Sequence, residues 1–129
     1  MVLLTIIIWV VMYYRRINEI MASRLNPQTM VTSSTSTDLL KNVSASDNLK
    51  NLFEMPVLFY VICMIVELNE FSSSTYLTLA WCYVVLRYLH SFIHVTYNRV
   101  MHRFYVYICS CLVLFSMWGL FIMEWISTP

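Results

Sequence analysis

Three short runs of this chain carry side chains able to do chemistry together. Arg87, His90, His94 and Tyr97 follow one another at spacings of three, four and three, the repeat that holds side chains on one face of a helix. Asn51 and Glu54 share a helical face in the same way with Lys50 beside them, and Arg103 and Tyr107 lie four apart. Guanidinium groups, an acid, an amide, imidazoles and phenols converging on one place suit an anionic, peptide-like ligand. There Arg103 would favour the thiolate of a bound thiol, and Tyr107 would donate a hydrogen bond to the sulfur or a proton to a leaving oxygen. Glu54 would receive a ligand ammonium group and Lys50 a carboxylate.

Structural roles compete with these. Glu54 and Arg87 would equally serve as a buried pair that fixes helix register, since an unpaired charge in hydrocarbon is expensive. His90 and His94 have the spacing of two zinc ligands, but no acid stands in an H-E-x-x-H pattern and no cysteine lies at the same depth. Hydrogen bonding between helices is the commoner use of such a pair, and no metal site is expected. Tyr97 and Arg103 also fit interfacial anchors, and His102 reads as a solvated loop residue. Cys63, Cys82, Cys109 and Cys111 sit in apolar runs and read as small buried hydrophobes.

The elements that must position these groups are membrane helices. The 129 residues are 60% hydrophobic and 12% charged, with a mean hydropathy of +0.68, which leaves too little polar surface for a water-soluble globule. A net charge of +1 and the lack of a basic stripe with interleaved aromatics exclude a nucleic-acid partner. The apolar runs predict an all-α integral membrane protein, one domain with four spans over about 1–24, 49–68, 76–97 and 104–124. The first run is short before Arg15, but it has neither the basic start nor the cleavage site of a signal peptide, and Arg15 and Arg16 can snorkel. Residues 26–47 are rich in Pro, Ser and Thr and read as a polar loop. Its Asn42-Val43-Ser44 matches a glycosylation acceptor pattern, in a loop that the charge distribution assigns to the cytoplasm.

Arg15, Arg16, Arg24, Lys41 and Lys50 flank the first loop and Arg99 and Arg103 the third, whereas the second loop has only acids near it. The positive-inside rule then puts both termini outside and the first and third loops in the cytoplasm. All three polar clusters thereby fall at the cytoplasmic end of their helices.

With these residues in order, the chain resembles the family of membrane-associated proteins in eicosanoid and glutathione metabolism (MAPEG), particularly its short bacterial members. Asn51-Leu52-Phe53-Glu54-Met55-Pro56 is similar to the family's N-x-x-E with a following proline, and Arg87-Tyr88-Leu89-His90 to its R-x-x-H. Arg103 and Tyr107 resemble the arginine and tyrosine that serve glutathione in catalytic members, and Asn26-Pro27 the Asn-Pro after the first helix. The resemblance implies a left-handed four-helix bundle, a homotrimer in a bacterial inner membrane, and a glutathione site between neighbouring subunits on the cytoplasmic side. It further implies cofactor contacts from Lys50, Asn51, Glu54, His90, Arg103 and Tyr107, with Arg103 stabilising the thiolate. His94 departs from the family by standing where many members have tyrosine, and the basic cluster entering the second helix is reduced to Lys50.

The expected activity is a glutathione-dependent transferase or peroxidase acting on hydrophobic electrophiles or lipid hydroperoxides from the bilayer. A non-catalytic lipid-binding or assembly protein of the same fold is the alternative, and a small proton-coupled exporter built on Glu54 a third.

Overall fold

The computed structural model describes residues 1–23, 44–71 and 73–127, which form helices and the turns between them, with no strand among them. In chain order the helices are α1 (Val2–Ser23), α2 (Ser44–Leu52), α3 (Met55–Leu68), α4 (Ser74–Val95) and α5 (Val100–Ser127). They divide into two compact units, Met1–Lys50 and Asn51–Pro129. The first contains α1 and most of α2. Helix begins at Ser44, inside the stretch expected to be loop, and Asp47 in the first turn of α2 suits the positive end of the helix dipole. Arg24, the Asn26-Pro27 pair, Lys41 and Asn42 lie outside the described residues.

The second unit owes its local shape to one proline. Pro56 has no N–H, and its ring collides with the carbonyl four residues back, so the helix entering from α2 stops at Leu52 and restarts at Met55. The break takes the carbonyl of Asn51 out of the helical ladder, where Met55 would otherwise have donated to it. It accepts instead from Arg87 Nη2 at 2.6 Å, a charge-assisted bond between the break and the middle of α4. One turn further on, Phe59 of α3 stacks on Tyr83 of α4 with ring centroids 4.5 Å apart.

Helix α4 is built inside out. Its buried face carries Tyr83, Arg87, His90, Ser91 and His94, while Leu77, Trp81, Val85, Leu89 and Phe92 form an exposed stripe. A soluble helix hides the apolar stripe and shows the polar one. The reverse arrangement is what lipid demands, because charged side chains within a membrane face the protein interior. By length and apolarity, Ser46–Leu68 and Val100–Ser127 are each able to cross a bilayer. Helices α1 and α4 reach 22 residues each but carry Arg15, Arg16 and Glu19 in one case and Arg87, His90 and His94 in the other.

Several expectations are corrected here. Helix α4 ends at Val95, so Tyr97 leaves the polar stripe and sits exposed in the turn, its hydroxyl 3.4 Å from His102 Nδ1. His102 is in the first turn of α5 rather than in a loop. Cys111 is buried as expected, but Cys82 and Cys109 are exposed on apolar helix faces.

Candidate functional site

The turn between α4 and α5 gathers the site. Thr96 closes α4 with its backbone N–H on Phe92, and the Asn98 N–H reaches back to the Ile93 carbonyl at 2.8 Å. Asn98 itself has φ of +45°, a conformation that asparagine tolerates better than most residues. The chain can therefore reverse within four residues and start α5 at Val100, which brings the first turns of α5 against the last turns of α4.

Arg103 is held there at three points. His90 Nδ1 lies 3.1 Å from the Arg103 backbone carbonyl, which can only accept, so this ring nitrogen carries a proton and donates it. Arg103 Nη1 lies 3.0 Å from His94 Nε2 and donates at the same distance to Asn98 Oδ1. A guanidinium has no acceptor, so His94 Nε2 accepts and its ring is the neutral tautomer protonated on Nδ1. Both N–H groups of Nη1 are thus used. The remaining three, on Nε and Nη2, have no partner among the described residues.

Arg103 also lines a cleft of about 190 Å³, together with Asn51, His90, Val100, Phe104 and Tyr107. The Tyr107 ring packs 5.6 Å from the His90 ring and 5.6 Å from the Arg87 guanidinium carbon, so one aromatic ring serves both. His90 is only 2% exposed, and its Nε2 has no partner among the described residues. Arg87, with no exposed surface, likewise has no partner at Nε and Nη1 among the described residues. Buried polar atoms of this kind are normally completed by ordered water or by a ligand.

The candidate residues therefore fall into distinct places. Asn51, His90, Arg103 and Tyr107 line the cleft together, and Arg87 and His94 lie behind its lining. Glu54 is exposed at the start of α3 and makes no ion pair with Arg87, whose hydrogen bond goes to the Asn51 carbonyl. The buried Glu54–Arg87 pair does not form because the helix break supplies a closer acceptor. Lys50 belongs to the other unit, where it is 61% exposed and 3.7 Å from Asp47. A two-histidine zinc site is also disfavoured, since a cation already occupies His94 Nε2. Asn98 escaped the sequence reading. The only trace it left was an asparagine at the point where the helical pattern of α4 stops.

The sequence model of the MAPEG family matches residues 1–123. This chain belongs to the MAPEG family. No curated protein and no solved structure matches it. MAPEG proteins are membrane-associated and generally linked to glutathione, and the inside-out surface of α4 agrees with the membrane setting.

Proposed function

We propose that this MAPEG protein is a glutathione-dependent transferase or peroxidase that acts on hydrophobic electrophiles or lipid hydroperoxides. The observation that carries this reading is the cleft that Arg103, held through Nη1, lines with Asn51, His90 and Tyr107, a set rich in N–H and O–H donors. Glutathione has two carboxylates, two amides and a thiol, and this donor set answers all three. The unpartnered His90 Nε2 is an acceptor for an amide N–H, and Asn51 adds a side-chain amide.

Bound glutathione would supply a thiolate sulfur, its proton gone to solvent, able to displace a leaving group from an electrophilic carbon or an alkoxide from the terminal oxygen of a hydroperoxide, the leaving atom keeping the electron pair of the broken bond. Arg103 stabilises the negative charge on that sulfur through charge-assisted hydrogen bonds aimed before the ligand arrives. Tyr107 donates a hydrogen bond to the sulfur or protonates the oxygen that leaves from a hydroperoxide. Arg87 adds a fixed positive charge behind the Tyr107 ring. The exposed Glu54 is assigned to the ligand ammonium group, which lies away from the sulfur.

The same reading takes the chain as a four-span inner-membrane homotrimer, both termini outside and the cleft at the cytoplasmic end, with a neighbouring subunit completing each site. The cations around the first and third loops support that orientation. The test is calorimetric binding of reduced glutathione to the detergent-purified protein, with Arg103→Ala as control. Saturable binding that the variant weakens is expected. No binding at millimolar glutathione would instead favour the non-catalytic lipid-binding or assembly role.

A further inference from the structure

The grip on Arg103 involves two residues that lie outside the cleft lining. His94 is 1% exposed, and Asn98 sits in the turn on the exposed side of the guanidinium. Their acceptor atoms meet the same nitrogen, Nη1, each at 3.0 Å. Two acceptors on one nitrogen, from a buried helix face and from an exposed turn, fix both the place and the plane of the guanidinium. Either alone would leave the group free to swing about the remaining bond. We infer that His94 and Asn98 are positioning residues, which clamp Nη1 of Arg103 so that its Nε and Nη2 donors face the cleft before any ligand binds. This rests on the glutathione reading only in naming the anion those donors meet.

The inference also explains two oddities of the sequence. Histidine at position 94 keeps its acceptor nitrogen within reach of Arg103 without giving up a proton, whereas a tyrosine hydroxyl there would reach toward the ligand as a donor. Asparagine at position 98 satisfies two demands at once, since the turn needs φ of +45° and the clamp needs a side-chain oxygen. Glycine would meet the first demand and fail the second. A misplaced guanidinium weakens catalysis more than binding, because its hydrogen bonds matter most when charge is concentrated on the sulfur.

The experiment uses the full-length protein in nanodiscs and four variants: Asn98→Gly, which keeps the turn and removes the acceptor, His94→Leu, which removes the other, His94→Gln, which restores an acceptor oxygen, and Arg103→Ala for assignment. Nitrogen NMR of the arginine guanidinium groups reads the clamp without ligand. The ultraviolet absorbance of thiolate, followed against pH with reduced glutathione bound, reads its consequence. In the unmodified protein the Arg103 guanidinium gives separate, slowly exchanging Nη signals. Asn98→Gly and His94→Leu merge them, move thiolate formation to higher pH and lower kcat about ten-fold or more with little change in KM. His94→Gln restores all three. Averaged Arg103 signals in the unmodified protein, or signals that neither variant changes, would overturn the inference. A clamp that the variants release, in a protein that does not bind glutathione, keeps the positioning role and removes only the glutathione reading. Glutathione bound with a thiolate titration that neither variant shifts removes the positioning role and leaves Arg103 in place.

Discussion

The two ends of the α4–α5 pair are joined by side-chain hydrogen bonds of different character. At the end where α4 begins, buried Tyr76 donates to Glu124 Oε2 at 2.8 Å, beside a cavity of about 370 Å³ lined largely by apolar side chains such as Val66, Leu77 and Met117. At the other end His90, His94 and Asn98 hold Arg103, and the guanidinium retains donors that take no partner among the described residues. The Tyr76 hydroxyl has one proton to give and gives it. Arg103 has five and uses two on the clamp. A contact complete in itself serves the fold, whereas one with capacity left over, opening on a cleft, serves a ligand.

The sharpest way to break that contrast is Arg103→Ala. Removing one preorganised donor group typically costs ~10²–10³-fold in kcat, and the same loss is expected here in glutathione-dependent turnover. The circular-dichroism helix signal should survive. If turnover persists undiminished, the spare donors do not serve catalysis and the contrast between the two ends loses its meaning. The next effect in size comes from Pro56→Ala. A continuous helix would let Met55 recapture the Asn51 carbonyl, take the 2.6 Å bond from Arg87 and move Asn51 relative to the cleft. Glutathione affinity should fall about ten-fold, the equivalent of roughly one charge-assisted hydrogen bond. Calorimetry on this variant with unchanged affinity would show that the break is not needed to shape the cleft.

Much of this was legible in the residues, and the reasons for what was not are physical. Helical spacing alone identified Arg87, His90 and His94 as one face, and the structure buries all three on it. Spacing also joined Arg103 to Tyr107, and both line the cleft. Periodicity does not show where α4 stops, so helical spacing carries the stripe on to Tyr97, two residues past the end of the helix at Val95. Nor could it choose between acceptors for Arg87. A carboxylate is the obvious partner on paper, but the proline break presents a backbone carbonyl that no residue pattern displays. Asn98 was invisible for a related reason, since its role depends on a backbone conformation and on a side chain five positions further along.

Tyr76→Phe sharpens the comparison from the other end. The variant keeps the ring and deletes only the donor to Glu124, so stability should fall by about 1–2 kcal/mol, the cost of a part-buried hydrogen bond to a charged group. Glutathione binding and turnover should stay as they were, because the contact lies at the far end of α4. A loss of turnover without a loss of stability would mean that the two ends communicate.

The smallest effect is expected between them, at Tyr83. Its ring stacks on Phe59, and the ring is buried completely, yet its hydroxyl has no partner among the described residues. Phenylalanine keeps the stacked ring and removes an oxygen that was stripped of water on folding. Leaving such a group unsatisfied costs about 1–3 kcal/mol, so its removal should hold stability constant or raise it by about 1 kcal/mol. Thermal unfolding in detergent checks this. A drop of more than about 1 kcal/mol would instead reveal a partner for the hydroxyl, an ordered water shared with Arg87 one turn away, whose Nε and Nη1 are equally unpartnered. The polar interior behind the cleft would then be a hydrated network continuous with the ligand site, and the boundary between the structural and functional ends of α4 would lie at Tyr83 rather than at Arg87.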